Sequence, residues 1–203
     1  MLIQDITAYG VLHDAAGFQQ GESVLVQAAA GGVGSLAAQF AKLAGAGTVV
    51  GTAGSPEKRQ HVLSLGADHA VDYGREDWVE QVLEATGGRG VDVVLESVGG
   101  EVGAHAFECL APLGWLVMFG AASGRPMPPP DLMQMNMKGQ ALIGFGGPWI
   151  RTDRVQAARE EISRYLRDGK LKLTGPSFPL AEAAEAHRAV ESRTTTGKAV
   201  LVV

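Results

Sequence analysis

Six short apolar runs, separated by helical stretches and punctuated by glycine, constrain this chain more than any other feature. They read SVLVQA (23–28), TVVGT (48–52), HAVDY (69–73), VDVVLES (91–97), WLVMFG (115–120) and ALIGFG (141–146). Several are apolar at nearly every position rather than at alternate ones. A half-exposed strand alternates; a strand covered on both faces does not, and parallel sheets are built of such strands. Between the runs, SLAAQFAKLAGA (35–46) places Leu36, Phe40 and Leu43 on one helical face. SPEKRQHVLSLGA (55–67) offers Ser55 as a cap, Pro56 at the first helical position and Gly66 as the stop. REDWVEQVLEATGG (75–88) turns Trp78, Val79, Val82 and Leu83 inward, and EVGAHAFECLAPLG (101–114) reads as a fourth helix.

Strand and helix in alternation predict an α/β fold: a doubly wound, parallel six-stranded sheet of the Rossmann type with helices on both faces. After Gly120 the pattern changes. AASGRPMPPPDLMQMNMKG (121–139) reads as an irregular loop and a short helix, and residues 151–168 form a charged amphipathic helix. The last residues read as strand, helix and strand. The expected division is therefore a sheet domain over 1–168 and a short C-terminal strand–helix–strand extension over 169–203, too small to stand alone.

Composition excludes several partners and chemistries. With 17 Lys and Arg against 22 Asp and Glu, and no basic run of five, nucleic acid is not an expected partner. The one cysteine, Cys109, rules out a disulfide framework and a zinc site built from several cysteines. The longest apolar runs are too short to span a bilayer, and MLIQDITAYG is not a secretory signal, so no membrane partner and a cytoplasmic location are expected. The five histidines are scattered, with no pair at ligand spacing, and no side chain stands out as a catalytic acid.

The stretch VQAAAGGVGS (26–35) lies between the first strand and the first helix of the alternation. That is the setting of the dinucleotide fingerprint G-x-G-x-x-G, with Ala29, Gly31 and Gly34 at its three glycine positions. Gly31 lets backbone approach a pyrophosphate, Gly34 lets the helix pack on the strand, and the helix N-terminus favours the anion. Ala29 in place of glycine implies that the first turn needs no positive φ. A plain strand-to-helix turn without ligand is the competing reading. Where NAD enzymes place Asp or Glu, about 20 residues beyond the loop, this chain has Ala53, followed by Ser55, Lys58 and Arg59. A hydroxyl and a cation without a carboxylate suit a 2′-phosphate. NADPH is therefore the expected cofactor, with Lys58 at the phosphate and Arg59 an ordinary solvated residue.

AAAGGVG, GTAGSPEK, GADHAVDY, GRGVDVVLESVGG, FGAASG and ESRTTTGKAVLVV occur in this order over nearly the whole chain. Together they resemble the zinc-independent quinone oxidoreductases, relatives of zeta-crystallin, in the medium-chain dehydrogenase/reductase superfamily. The resemblance implies that Gly31, Gly32 and Val33 line the pyrophosphate, with Ala30 and Gly34 also counted among the cofactor-binding residues. It implies that Ser55, Lys58, Tyr73 and Arg193 surround the adenosine and its 2′-phosphate, and that Thr52 also binds the cofactor. Ser97 and Val98 flank the second ribose; Phe119, Gly120, Ala121, Phe145 and, from the first helix, Thr7 lie near the nicotinamide. Plainer readings stand beside these: core packing for Phe119 and Phe145, a strand cap for Tyr73, a surface charge for Arg193. Members of the family begin with a GroES-like domain that nothing here resembles. The chain is thus expected to be the cofactor-binding portion, with 169–203 packing on the absent catalytic domain and no metal site of its own.

The reaction so implied is hydride transfer from NADPH to a small-molecule electron acceptor, a quinone or an activated alkene or carbonyl. This chain alone is expected to show little turnover. The alternative is a non-enzymatic NADPH-binding or sensing module, or a subunit completed by another polypeptide. A short-chain dehydrogenase needs Tyr-x-x-x-Lys, but Tyr9, Tyr73 and Tyr165 are followed at that offset by His13, Asp77 and Gly169. A methyltransferase prefers an acid where Ala53 stands. The apolar run 141–146, as a sheet edge, predicts a homodimer through that strand unless the 127–139 loop covers it.

Overall fold

The structure, a computed structural model, describes residues 3–146 and 152–203. Its strands β1 (Ser23–Val26), β2 (Thr48–Thr52), β3 (His69–Val71), β4 (Val91–Glu96), β5 (Leu110–Met118) and β6 (Ala141–Gly144) form one sheet in the order β3-β2-β1-β4-β5-β6. Every pairing is parallel. The order reverses between β1 and β4, the point at which open α/β sheets hold their ligands.

Strand side chains go to two cores. Val24, Val26, Val93, Leu95 and Val117 pack on one face with Leu12, Phe40 and Ile162. Leu25, Val50, Val94 and Leu116 pack on the other with Trp78, Val82 and Phe107. Both faces are thus dry, which is why the runs lack alternation. The covering helices are α1 (Ile3–Gly10), α2 (Gly34–Leu43), α3 (Pro56–Ser64), α4 (Trp78–Ala85), α5 (Gly100–Glu108), α6 (Leu132–Lys138) and α7 (Thr152–Arg167). A π-helical turn, Val11–Ala15, follows α1. The expected first residue of the charged helix, Arg151, lies outside the described residues. Ser55 caps α3 by accepting from the Lys58 N–H, with Pro56 in the first turn, as expected.

The fourth helix is shorter than its sequence suggests. α5 ends at Glu108, and β5 begins at Leu110 rather than Trp115. Pro112 cannot continue a helix, Leu113 takes φ +64°, and the Val91 N–H takes the Cys109 carbonyl at 2.8 Å. The register then slips between Val91 and Val93. Cys109 is fully buried at this junction, and burial pushes its thiol up to about 12. At the sheet edge β6 stops at Gly144, two residues short of the apolar run.

The C-terminal extension contains β7 (Ser177–Pro179), α8 (Ala183–Glu191) and β8 (Val200–Val202), with β7 and β8 paired in parallel. Leu180, Val190, Val200, Leu201 and Val202 are exposed there. α1 is clasped to α7. The Tyr9 and Tyr165 hydroxyls donate to the two oxygens of Glu161 at 2.5 and 2.8 Å. Burial acts to raise the Glu161 pKa, but those two hydrogen bonds, with His13 and Arg164 nearby, outweigh it and hold the carboxyl below its usual range.

Candidate functional site

Residues following β1, β2 and β4 enclose a cleft of about 320 Å³ at the C-terminal edge of the sheet. Its floor is the loop between β1 and α2. Ala28 takes φ +49°, a left-handed conformation unusual for alanine. The expectation that this turn needs no positive φ therefore fails one residue before Ala29. The strain is held from behind: the Ala28 N–H donates to Thr52 Oγ1 at 3.2 Å, and the Thr52 hydroxyl donates to Gln27 Oε1 at 2.5 Å. Both Gln27 and Thr52 are fully buried.

The glycines are needed for close approach. A Cβ on Gly34 would lie 2.8 Å from Ala29 Cα and closer still to the Ala28 carbonyl oxygen. A Cβ on Gly32 would meet the Gln4 amide at 2.7 Å. The Gly31 N–H donates to the Ala28 carbonyl and the Ser35 N–H to the Gly31 carbonyl. The Gly32 and Val33 N–H groups have no acceptor among the described residues. They stand at the N-terminus of α2, where such donors favour an anion.

The far end of the chain closes over this loop. Gly197 bridges Gly31, and its N–H donates to the Ala30 carbonyl at 2.7 Å. Next to it Lys198 pairs with the buried Asp5 of α1 at 3.3 Å. Gly197 takes φ +62°, and a Cβ there would collide with the Thr174 carbonyl.

At the β2 end, Ala53 is almost fully buried where a carboxylate would otherwise stand. Lys58 and Arg193 are the cationic side chains of the lining, which contains no Asp, Glu or His. The Lys58 ammonium donates to the Arg193 carbonyl. The Arg193 guanidinium donates to the Ala122 carbonyl at 2.9 Å. Tyr73 brings its hydroxyl to 3.3 Å from where a Gly54 Cβ would be. Arg59, expected as a solvated residue, is instead half-buried: it pairs with Asp72 at 2.7 Å and donates to the Ala53 carbonyl at 3.3 Å. It thereby ties α3 to the ends of β2 and β3, away from the cleft lining.

At the β4 end, Val98 and Ala122 form the wall. The Ala122 N–H donates to the Ser97 carbonyl at 2.9 Å and the Ser123 N–H to the Val98 carbonyl at 2.8 Å. Glu96 lies behind them, fully buried. Its Oε1 accepts from the Val98 and Gly99 N–H groups at 2.6 and 2.9 Å. Burial pushes its carboxyl above its ordinary value, against the pull of those two donors.

Eight of the expected residues thus line one cleft: Ala30, Gly31, Gly32, Thr52, Lys58, Tyr73, Val98 and Arg193. Val33 and Gly34 carry the loop into α2, outside the lining. The Ser55 hydroxyl is taken up as the α3 cap and by Glu57 at 2.8 Å. Ser97 and Gly120 back onto each other, a Gly120 Cβ falling 3.0 Å from the Ser97 carbonyl, and Ala121 follows them; none of the three lines the cleft. Phe119 and Phe145 pack against the core, with the Phe145 ring lying over Gly10. Thr7 is half-buried on α1, also outside the lining. The lining adds Gln4, Gly54, Ala122, Val190, Thr195, Gly197 and Ala199, which sequence reasoning missed. The one signal for the last three was a glycine between TTT and the final apolar run.

Residues 32–164 match the zinc-binding dehydrogenase family. A quinone oxidoreductase of Pseudomonas aeruginosa is 35% identical over 206 residues, an alignment that covers 100% of this chain and 63% of the relative. A 2-haloacrylate reductase of a Burkholderia species is 35% identical over 207 residues, covering 100% of this chain and 62% of the relative. Among solved structures, the Escherichia coli quinone oxidoreductase complexed with NADPH superposes with TM-score 0.89 at 32% identity, covering 100% of this chain and 63% of that one. The chain therefore spans less than two thirds of the length of these relatives. The family's name carries zinc, but among the described residues no group of three or more His, Cys, Asp or Glu is placed to hold a metal ion. Sheet order, glycine loop and sequence agree: the chain belongs to the zinc-binding dehydrogenase family and resembles its quinone oxidoreductases from end to end.

Proposed function

We propose that this chain is the NADPH-binding part of an oxidoreductase that passes hydride from NADPH to a quinone or to an activated alkene or carbonyl. The observation that carries the reading is the cleft lining: a glycine loop with two unengaged N–H groups, Lys58 and Arg193 at the β2 end, and Ala53 in place of an acid. These donors fit the group. The Gly32 and Val33 N–H groups would hold the pyrophosphate at the start of α2. Lys58 and Arg193 would pair with the 2′-phosphate, exchanging carbonyl partners for a charged one. Tyr73 would lie along the adenosine, and Val98 with Ala122 would bound the second ribose. NADPH, when bound, supplies the hydride; the protein fixes its position and excludes water.

The acceptor is a small molecule. The quinone oxidoreductase and 2-haloacrylate reductase among the relatives support a quinone or an alkene activated by a carboxylate. The exposed Leu180, Val190, Val200, Leu201 and Val202 support packing of 169–203 on a further domain, which would complete the pocket. The test is a titration of the purified chain, with and without Lys58. Lys58→Ala should weaken NADPH by about tenfold or more, as expected for a lost charge-assisted hydrogen bond, and NADH far less. Equal losses would contradict the assignment. NADPH-dependent reduction of a simple quinone should be slow with this chain alone; fast turnover would show that no further domain is needed. Binding without any turnover, even with the rest of the protein supplied, would favour a non-enzymatic NADPH-binding module.

A further inference from the structure

The fully buried carboxylate of Glu96 is costly in the core. No salt bridge reaches it among the described residues, and Oε2 has no hydrogen-bond partner there. Only Oε1 is engaged, and both of its donors, the Val98 and Gly99 N–H groups, belong to one turn. That turn carries the cleft wall. Its other side is laced to the segment after β5 by the Ser97–Ala122, Val98–Ser123 and Gly100–Arg125 backbone bonds. Gly99 takes φ +71°. The turn is therefore defined from two sides, and one of them is a single side chain.

We propose that Glu96 is a positioning residue, which holds the Ser97–Gly99 turn in the shape that the ribose–nicotinamide half of the dinucleotide meets. The inference rests on the cofactor reading above. In a doubly wound sheet each half carries one mononucleotide: the adenosine half lies over β1–β3 and the other over β4–β6. Glu96 serves only the second half. The first half has its own support in Thr52, which holds the strained Ala28 from the neighbouring strand β2 and is itself held by Gln27. Glu96 is close-packed behind the turn: a Cβ on Gly103 of α5 would lie 3.2 Å from its Cδ and 3.0 Å from Met127 Cγ.

The two halves can be probed separately. Adenosine 2′,5′-bisphosphate carries the adenosine and its 2′-phosphate but lacks the nicotinamide half. E96D keeps the charge and withdraws it by one methylene from both N–H donors. It should weaken NADPH by about tenfold, the size expected for lost charge-assisted hydrogen bonds, and leave the bisphosphate within about twofold. E96Q keeps an oxygen at the Oε1 position and should restore NADPH binding. G103A, which presses on Glu96 from α5, should reproduce the split if E96D does not fold. Equal losses for both probes, no loss for either, or E96Q binding as poorly as E96D would overturn the proposal. If the unaltered chain bound neither probe, the cofactor reading would fall and this inference with it; selective failure in the variants overturns this inference alone.

Discussion

Gly34 has no room for a methyl group. Its neighbours are backbone atoms of Ala28 and Ala29, which cannot swing aside as a long side chain could. Gly34→Ala should cost about 1–3 kcal/mol, the usual range for overpacking. At this chain length each kcal/mol lowers Tm by about 2–4 °C. A melt within a degree of the unaltered chain would contradict the close approach. Single residues were legible in the sequence where a local rule fixes them. Gly31 and Gly34 follow from a motif with fixed spacing, Ser55 from capping chemistry, and Lys58 from the missing acid at Ala53. Ala28 was not legible, because its positive φ is held by Thr52, which meets it only across the sheet. Gly197 was invisible for a similar reason: its role comes from a bridge to the other end of the chain.

The elements themselves were legible from patterning, and their ends less so. Five of the six apolar runs became strands at or near the expected place, because burial on both faces leaves a continuous apolar signature. β5 starts earlier than its run because LAPLG is drawn against β4 by the Val91–Cys109 bond, a tertiary effect that helical periodicity cannot report. The clasp between α1 and α7 makes a prediction at this scale. Glu161 is held below its usual pKa, so its contribution to stability is fully present above the unfolded carboxylate value of about 4.3. That contribution is lost as pH falls through the lower, folded value. Glu161→Gln should therefore destabilise the chain at pH 7 and make little difference at pH 2, as denaturant midpoints at the two pH values would show. A variant equally destabilised at both would mean that packing, not ionisation, joins the helices.

At the scale of the whole molecule, two faces stand open. One is the β7–α8–β8 face. The other is the outer edge of β6, which pairs with β5 alone among the described residues. Near it Leu113, Trp115, Leu132, Met133, Met137 and Leu142 are exposed. A bare apolar edge invites pairing with a second strand, and a twin of β6 would satisfy it. The chain should therefore scatter light as a dimer, and Leu142→Lys should shift it to monomer without unfolding. A monomer at all concentrations would leave the edge to the 127–139 segment. The overall fold and the family followed from the sequence as an ordered set of motifs. The cleft's second wall did not, because Val190, Thr195 and Ala199 reach it only through the folded extension.

The β2 end of the cleft, with Lys58 and Arg193 and without an acid at Ala53, suits a 2′-phosphate. Parallel calorimetric titrations of the unaltered chain with NADPH and NADH at low ionic strength test it most directly. NADPH should bind at least about tenfold more tightly, corresponding to about 1.4 kcal/mol, with the difference shrinking as salt is added. Equal affinities, or a preference for NADH, would contradict the account.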